Sequence, residues 1–260
     1  MTQPLIICGM HRSGTSMLAR ILAARGLFIG HRLGKHPEAL FFHRLNEAIL
    51  RAAGASWDRP AALLRMLGEP GAATRLAATL RPRLRGLGTW SYLGPRIVAA
   101  RARIGAHLPF AWGWKDPRNS LLLPVWLELF PEARVLRIRR HGVDVAASLV
   151  AREVGRAVPG RCTMVSEGLA LWAEYEAALD GWLKQVPAER QLAVRFEQYA
   201  ADPEPAQAAI GAFAGVGRVC AIPLALRPDP ARSFAYRADP LLRAEALRHE
   251  ALLRAQGYAP

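Results

Sequence analysis

Lysine is scarce in this chain. Of its 35 basic residues only Lys35, Lys115 and Lys184 are lysines. Where arginine otherwise carries the positive charge, each lysine invites a chemical explanation. Cysteine is scarce too. Cys8, Cys162 and Cys220 are far apart, odd in number and without metal-ligand spacing, which excludes a disulfide framework. A reduced, cytoplasmic setting is the expectation, with Cys8 a small core residue of a strand. There is no run of 18 apolar residues, so no membrane span is expected. The first residues lack a charged segment followed by a long apolar one, so a secretory signal is not expected either. Internal repeats, low-complexity tracts and linkers are also missing. Residues 1–260 therefore read as one domain with a good core.

Acidic residues are outnumbered, 21 against 35, and the net charge of +14 calls for an anionic partner. The arginines scatter from Arg12 to Arg254, without a dense run or zinc-finger spacing. Specific nucleic-acid binding is not expected. An anionic cofactor, an acidic glycan or a membrane surface all suit the charge.

What is present begins with "PLIICGMHRSGTS". A short apolar strand runs straight into a loop with Gly9 and Gly14 separated by four residues. The helical pattern of Met17, Leu18, Ile21 and Leu22 follows and stops at Gly26. Strand, glycine loop and helix form the setting in which helix N–H groups and dipole bind a phosphate or sulfate. The Walker lysine is missing, and Thr15 stands in its place. ATP or GTP hydrolysis is therefore disfavoured, whereas a 5′-phosphate or phosphosulfate is still well served. Arg12, Ser13, Thr15 and Ser16 supply donors, and Gly14 lets the backbone approach.

Further strands are expected at 110–115, 134–140 and 192–196. Helices are expected at 37–53, at "WLELF" with Pro124 near its start, at 143–154, in "LALWAEYEAALDGWLKQV", and at 240–256. Strands alternating with helices imply an α/β fold, a P-loop-type parallel sheet flanked by helices. Residues 37–105 contain a stretch with no clean period beyond short helical pieces. They are expected to form a helical, acceptor-binding or lid insertion.

A second motif is "RRHGVDVAAS". Arg140 ends a strand, and Ser148 lies eight residues on in the next helix, on the face it shares with Asp144. A tight turn at His141-Gly142 would let Arg140 and Ser148 converge on one anion. The bland alternative is an exposed arginine and a small packed serine.

Together, "GMHRSGTS" and "RRHGVDVAAS" resemble the two cofactor motifs of sulfotransferases that use 3′-phosphoadenosine 5′-phosphosulfate (PAPS). The resemblance implies that Arg12, Ser13, Gly14, Thr15 and Ser16 hold the 5′-phosphosulfate and that Arg140 and Ser148 hold the 3′-phosphate. "WKDPRN" looks like the family's K-D-P element, which would put Lys115 at the transferring sulfuryl group. "VRFEQYAADP" is similar to its Y-E-D segment near the adenine, with Phe196 replacing the tyrosine. Arg12 places the chain nearer the Arg-type branch, with its bacterial and carbohydrate members, than the cytosolic small-molecule branch. The C-terminal R-K-G element has no clear match; Arg232 or Arg237 is the candidate substitute.

The resemblance implies sulfuryl transfer from PAPS to a hydroxyl or amine, releasing 3′,5′-adenosine bisphosphate (PAP). A glycan is the first candidate acceptor, and no metal is expected. Arg12 and Lys115 would stabilise developing charge. In some Arg-type members the base is a glutamate soon after the loop helix. That favours Glu38 over His36 and His43, although Glu38 could equally favour a helix N-terminus. Two rival functions are a P-loop nucleotide or small-molecule kinase and a non-catalytic nucleotide-binding module.

Overall fold

The strand Leu5–Cys8 (β1) is buried along its whole length, and its side chains alternate between two cores. Leu5 and Ile7 meet Leu18, Leu22 and Leu136 on one face. Ile6 and Cys8 meet Phe42, Trp114, Trp126 and Trp172 on the other. A strand covered on both faces belongs inside a parallel sheet. In the computed structural model β1 pairs in parallel with Gly113–Lys115 (β2) and with Arg134–Arg139 (β3), and β3 with Gln191–Arg195 (β4). The order is β2-β1-β3-β4. The structure describes residues 3–101, 103–105, 108–154, 157, 160–217 and 226–260. Cys220 lies outside them, and Cys8 and Cys162 are free and buried.

The helices Thr15–Ala24 (α1), Leu40–Ala52 (α2), Ala61–Leu67 (α3), Ala72–Leu80 (α4) and Trp90–Leu93 (α5) all lie in the long crossover from β1 to β2. Segment 37–105 is helical in pieces, and it shares the main core: Phe42, Leu45, Ile49 and Leu63 are buried in it. After β2 come Asn119–Leu129 (α6), Gly142–Glu153 (α7) and Val165–Leu183 (α8). Phe196–Ala201 (α9), Pro203–Ala214 (α10), Pro240–Arg248 (α11) and Glu250–Ala255 (α12) complete the chain. Two expectations are corrected. α6 starts at Asn119 rather than near Pro124, which it accommodates inside the helix. The single helix expected at 240–256 divides at His249, whose backbone leaves the helical region (φ −107°, ψ 25°).

A buried amide fastens the sheet to its helices. Asn119 Oδ1 accepts from Trp114 Nε1 and from Asn46 Nδ2, each at 3.1 Å, and Asn119 Nδ2 donates to the Ile7 carbonyl at 3.1 Å. Asn46 in turn accepts from Trp126 Nε1 at 3.1 Å. β1, β2, α2 and α6 thus share one satisfied polar node inside an aromatic cluster, where Phe42 stacks on Trp114 with ring centroids 4.0 Å apart. Leaving buried donors and acceptors without partners costs about 1–3 kcal/mol each. Asn119→Leu is therefore expected to lose about 3 kcal/mol or more, read as a lower urea midpoint at unchanged slope. A loss below about 1 kcal/mol would contradict this role for the node.

Candidate active site

In an open parallel sheet, ligands collect where the carboxyl ends of the strands meet a reversal of strand order. Here that point lies between β1 and β3. The loop leaving β1 is forced into an unusual shape. Gly9 has φ 141°, and a Cβ there would lie 2.4 Å from the Ile138 carbonyl oxygen. Gly14 has φ 99°, with Phe196 close against it. Between them Arg12 adopts φ 71°, a left-handed conformation uncommon outside glycine. Ser120 on α6 accepts from the Gly9 N–H at 2.9 Å. α1 then starts at Thr15 with no side-chain cap, so its first N–H groups lack intrahelical partners. The Ser13 hydroxyl is buried without a partner.

This loop forms one wall of a cavity of about 580 Å³. Its lining includes seven cationic side chains, Arg12, Arg20, Lys115, Arg140, Arg152, Arg227 and Arg232, against the carboxylates of Glu38 and Asp229. Gly14, Thr15, Ser16, Ser148, His36 and Phe196 also line it. Arg12 Nε donates to Ser148 Oγ at 2.8 Å, which joins the two sequence motifs directly. Arg140 donates to the Arg12 carbonyl at 3.2 Å and to the Arg232 carbonyl at 2.6 Å. It also faces Asp144 at 3.6 Å and lies 5.0 Å from the centre of the Phe196 ring. Burial, then Arg152, Arg232 and Arg140, push the Arg12 guanidinium below its ordinary value. Burial likewise lowers Arg140, against the opposing pull of Asp144 and Glu197.

The strand end of β2 contributes Lys115. Only 1% of it is exposed, so it is no solvated surface lysine. Its ammonium donates to Glu38 Oε1 at 2.6 Å, to Ser16 Oγ at 3.0 Å and to the His36 carbonyl at 3.4 Å. Burial lowers its pKa, and Glu38 opposes that shift. Glu38 turns its carboxylate to Lys115; α2 begins beyond it without a side-chain cap. The position of the absent Walker lysine is filled by Thr15, buried, while an ammonium reaches Ser16 from the neighbouring strand.

Pro117 also lines the cavity, whereas Asp116 and Arg118 turn inward. Asp116 is fully buried and bonds the Arg118 backbone at 2.9 Å and guanidinium at 3.1 Å. Burial favours its neutral form, but His43, Arg118 and Asn46 outweigh that and hold it well below the usual carboxylate range. His43 contacts Arg118 at 3.2 Å and Asp116 at 3.5 Å, and it does not line the cavity. Of the candidate bases, Glu38 and His36 do. Arg232 lines the cavity, whereas Arg237 folds its guanidinium over Phe234 at 4.3 Å. Arg152 escaped the motif search, although it stands one turn beyond Ser148 on the same helix face, spacing that could have flagged it. His11, packed 4.7 Å from Trp57, also escaped. Burial, then Arg118, hold its imidazole well below its ordinary value, which keeps it neutral.

The profile of the sulfotransferase family matches residues 4–218. Among solved structures, the sulfotransferase domain from the curacin biosynthetic pathway shares 16% identity, with a TM-score of 0.58 over 100% of this chain and 99% of that one. The sulfotransferase domain of the Synechococcus PCC 7002 olefin synthase shares 19%, with a TM-score of 0.56 over 100% and 97%. A sulfotransferase from Alicyclobacillus acidocaldarius shares 19%, with a TM-score of 0.52 over 98% and 96%. At such identities the likeness speaks for the fold. No curated protein sequence matches the chain. The profile, however, spans well over half of the residues, including both phosphate-loop glycines, the K-D-P element and the paired Arg140 and Ser148. On that match, with a fold shared with solved sulfotransferases, the chain belongs to the sulfotransferase family and is an enzyme of that family.

Proposed function

We propose that this sulfotransferase takes the sulfuryl group from PAPS, delivers it to a hydroxyl or amine and releases PAP. The observation that carries the proposal is the meeting of Lys115, Glu38 and Ser16 beside an uncapped helix N-terminus, in a cavity where cations outnumber carboxylates. When bound, PAPS supplies the sulfuryl group, and PAP is what departs. The residues present fit such a polyanionic, two-ended molecule. Ser13 has a buried hydroxyl in want of a partner, as does Arg140 at Nε. Arg12, Ser13, Gly14, Thr15 and Ser16 would hold the 5′ end; Arg140 and Ser148 would hold the 3′-phosphate, with Arg232 and Arg152 as additional cations.

Within this scheme Lys115 and Arg12 stabilise charge that grows on the leaving and equatorial oxygens. Glu38 takes the proton from the acceptor at its carboxylate, which Lys115 orients. Ser16 already faces an ammonium, at the position where a P-loop hydrolase uses the hydroxyl to ligate a cation. That weighs against the kinase alternative. A non-catalytic binding module would have no use for a buried Lys115–Glu38 pair. A sugar hydroxyl is the acceptor class we favour, approached along the loop of His36 and Glu38 and shaped by segment 37–105. The free thiols Cys8 and Cys162 suit a cytoplasmic setting.

Losing a charge-assisted contact costs about 1.5–3 kcal/mol. Arg140→Ala is therefore expected to weaken PAP at least about tenfold while 5′-AMP changes little, measured by calorimetric titration. Equal losses for the two nucleotides would remove Arg140 from the 3′-phosphate.

Turnover separates the remaining roles. With labelled PAPS and a hydroxyl acceptor, Lys115→Ala is expected to cut kcat by about two orders of magnitude or more, with PAP affinity nearly unchanged. Glu38→Gln keeps shape but cannot accept a proton, and about a hundredfold loss in kcat is expected. His36→Asn should stay near wild type. Normal turnover in Glu38→Gln with collapse in His36→Asn would transfer the role of base to the histidine.

A further inference from the structure

Carboxylates are missing from two long stretches of the chain. Residues 1–37 contain no Asp or Glu, and neither do residues 70–115, which carry seven arginines. The fold brings parts of these stretches together. His31 N donates to the Tyr92 carbonyl at 2.7 Å and Arg32 N to the Ser91 carbonyl at 3.0 Å. The rings of His31 and Trp90 lie 6.0 Å apart. Arg85 and Arg103 form an antiparallel bridge, and next to it Ile104 N donates to the Leu84 carbonyl at 2.8 Å. The loop ahead of α2 and the segment around α5 are thus one connected piece of surface.

The charge of this surface is not neutralised from within. Among the described residues, the one ion pair made from 70–103 is Arg75 with Glu69, at 3.7 Å. Arg32, Lys35, Arg85 and Arg103 are exposed. Between them large apolar side chains also stand in water: Leu87 is 84% exposed, Trp90 44% and Leu33 40%. Arginine alone would suit any polyanion. Exposed leucine and tryptophan interleaved with arginine suit an interface that is anionic at its surface and apolar just below it. Tryptophan favours the headgroup level of a bilayer, and basic side chains favour its phosphates.

We propose that this face docks the protein on a bilayer surface rich in anionic phospholipid. Leu87 and Trp90 enter the headgroup boundary, and Arg85, Arg103, Arg32 and Lys35 pair with lipid phosphates. The loop bearing Arg32 and Leu33 continues to Glu38 at the cavity. Docking therefore neighbours the acceptor side of the enzyme, and it does not depend on the identity of the acceptor.

The test is co-sedimentation of the full chain with vesicles of phosphatidylcholine alone and of phosphatidylcholine with about one third phosphatidylglycerol. Binding to the mixed vesicles should be at least about tenfold tighter, and it should weaken as salt is raised. Leu87→Ser with Trp90→Ser should reduce that binding about tenfold while heparin binding and thermal stability stay unchanged, because both side chains are exposed. Arg85→Ser with Arg103→Ser should reduce vesicle and heparin binding together. Equal binding to the two vesicles, or none to either, would overturn the proposal. So would wild-type vesicle affinity in the Leu87 and Trp90 variant, which would assign the face to soluble polyanions. A dimer in light scattering that these two substitutions dissolve would overturn it as well, in favour of a second copy of the chain.

Discussion

Mutual repulsion among cations crowded around one cavity is the constraint around which this enzyme is organised. Seven cationic side chains share one cavity with two carboxylates. Arg12 shows the strain most directly, since burial and its arginine neighbours all work against its charge. A fold does not hold such a cluster for its own stability; desolvated charge without a partner is costly. It holds the cluster because Arg12 and Arg140 are tied to a neutral hydroxyl and to backbone, while Arg152 and Arg232 lean on the carboxylates of Glu153 and Asp229. Ser148 accepts from Arg12, and the carbonyls of Arg12 and Arg232 accept from Arg140. These contacts to Arg12 and Arg140 orient the two guanidinium groups without neutralising them, and Asp144 opposes the charge of Arg140 from 3.6 Å. A bound anion would supply what they lack.

The polar groups behind the cavity do the opposite work, because each charge there meets an opposite charge. Arg137, on β3, bonds Glu176 at 2.5 Å and reaches Asp180. Asp116 is held by Arg118, and Arg118 by Glu47 at 2.6 Å. Asn119 closes the node between strands and helices. Breaking one of these buried partnerships should read as lost stability, whereas removing a cavity arginine should read as lost affinity. Lys115 belongs to both sets: it is the one lysine buried under the loop, and its partner Glu38 comes from a loop that also faces the cavity.

How much of this was legible depended on how local each signal is. The glycine loop, the Arg140–Ser148 spacing and the Lys-Asp-Pro element are contiguous patterns with strict geometry. They pointed to the fold, and Arg12, Gly14, Lys115, Arg140 and Ser148 from them line one cavity, while Gly9, Ser13 and Asp116 do not. Strand positions were legible for the same reason, since β1 is short and apolar, β3 alternates arginine with apolar residues, and both are followed by turn signals. Arg152 was not legible alone, because its value depends on Ser148 meeting Arg12 across 136 residues. His43 stood as an alternative to the favoured Glu38 until the fold turned it toward Arg118 and Asp116. The long crossover defied periodic reading because its helices are short; α5 spans only four residues. The basic and apolar face formed by Arg32, Arg85, Leu87 and Trp90 is hard to see in sequence, where Arg32 stands some fifty residues from the other three.

The most direct measurement of the central claim is thermal unfolding of the intact protein with PAP, in the presence of a chelator and without added magnesium. A ligand bound only by the native state adds about 2.7 kcal/mol at a hundredfold excess over its dissociation constant. For a chain of this size that is a rise of several degrees in Tm. The account predicts that rise for PAP and a distinctly smaller one for 5′-AMP at equal concentration. No shift with saturating PAP, together with a clear shift from magnesium-ATP, would contradict it.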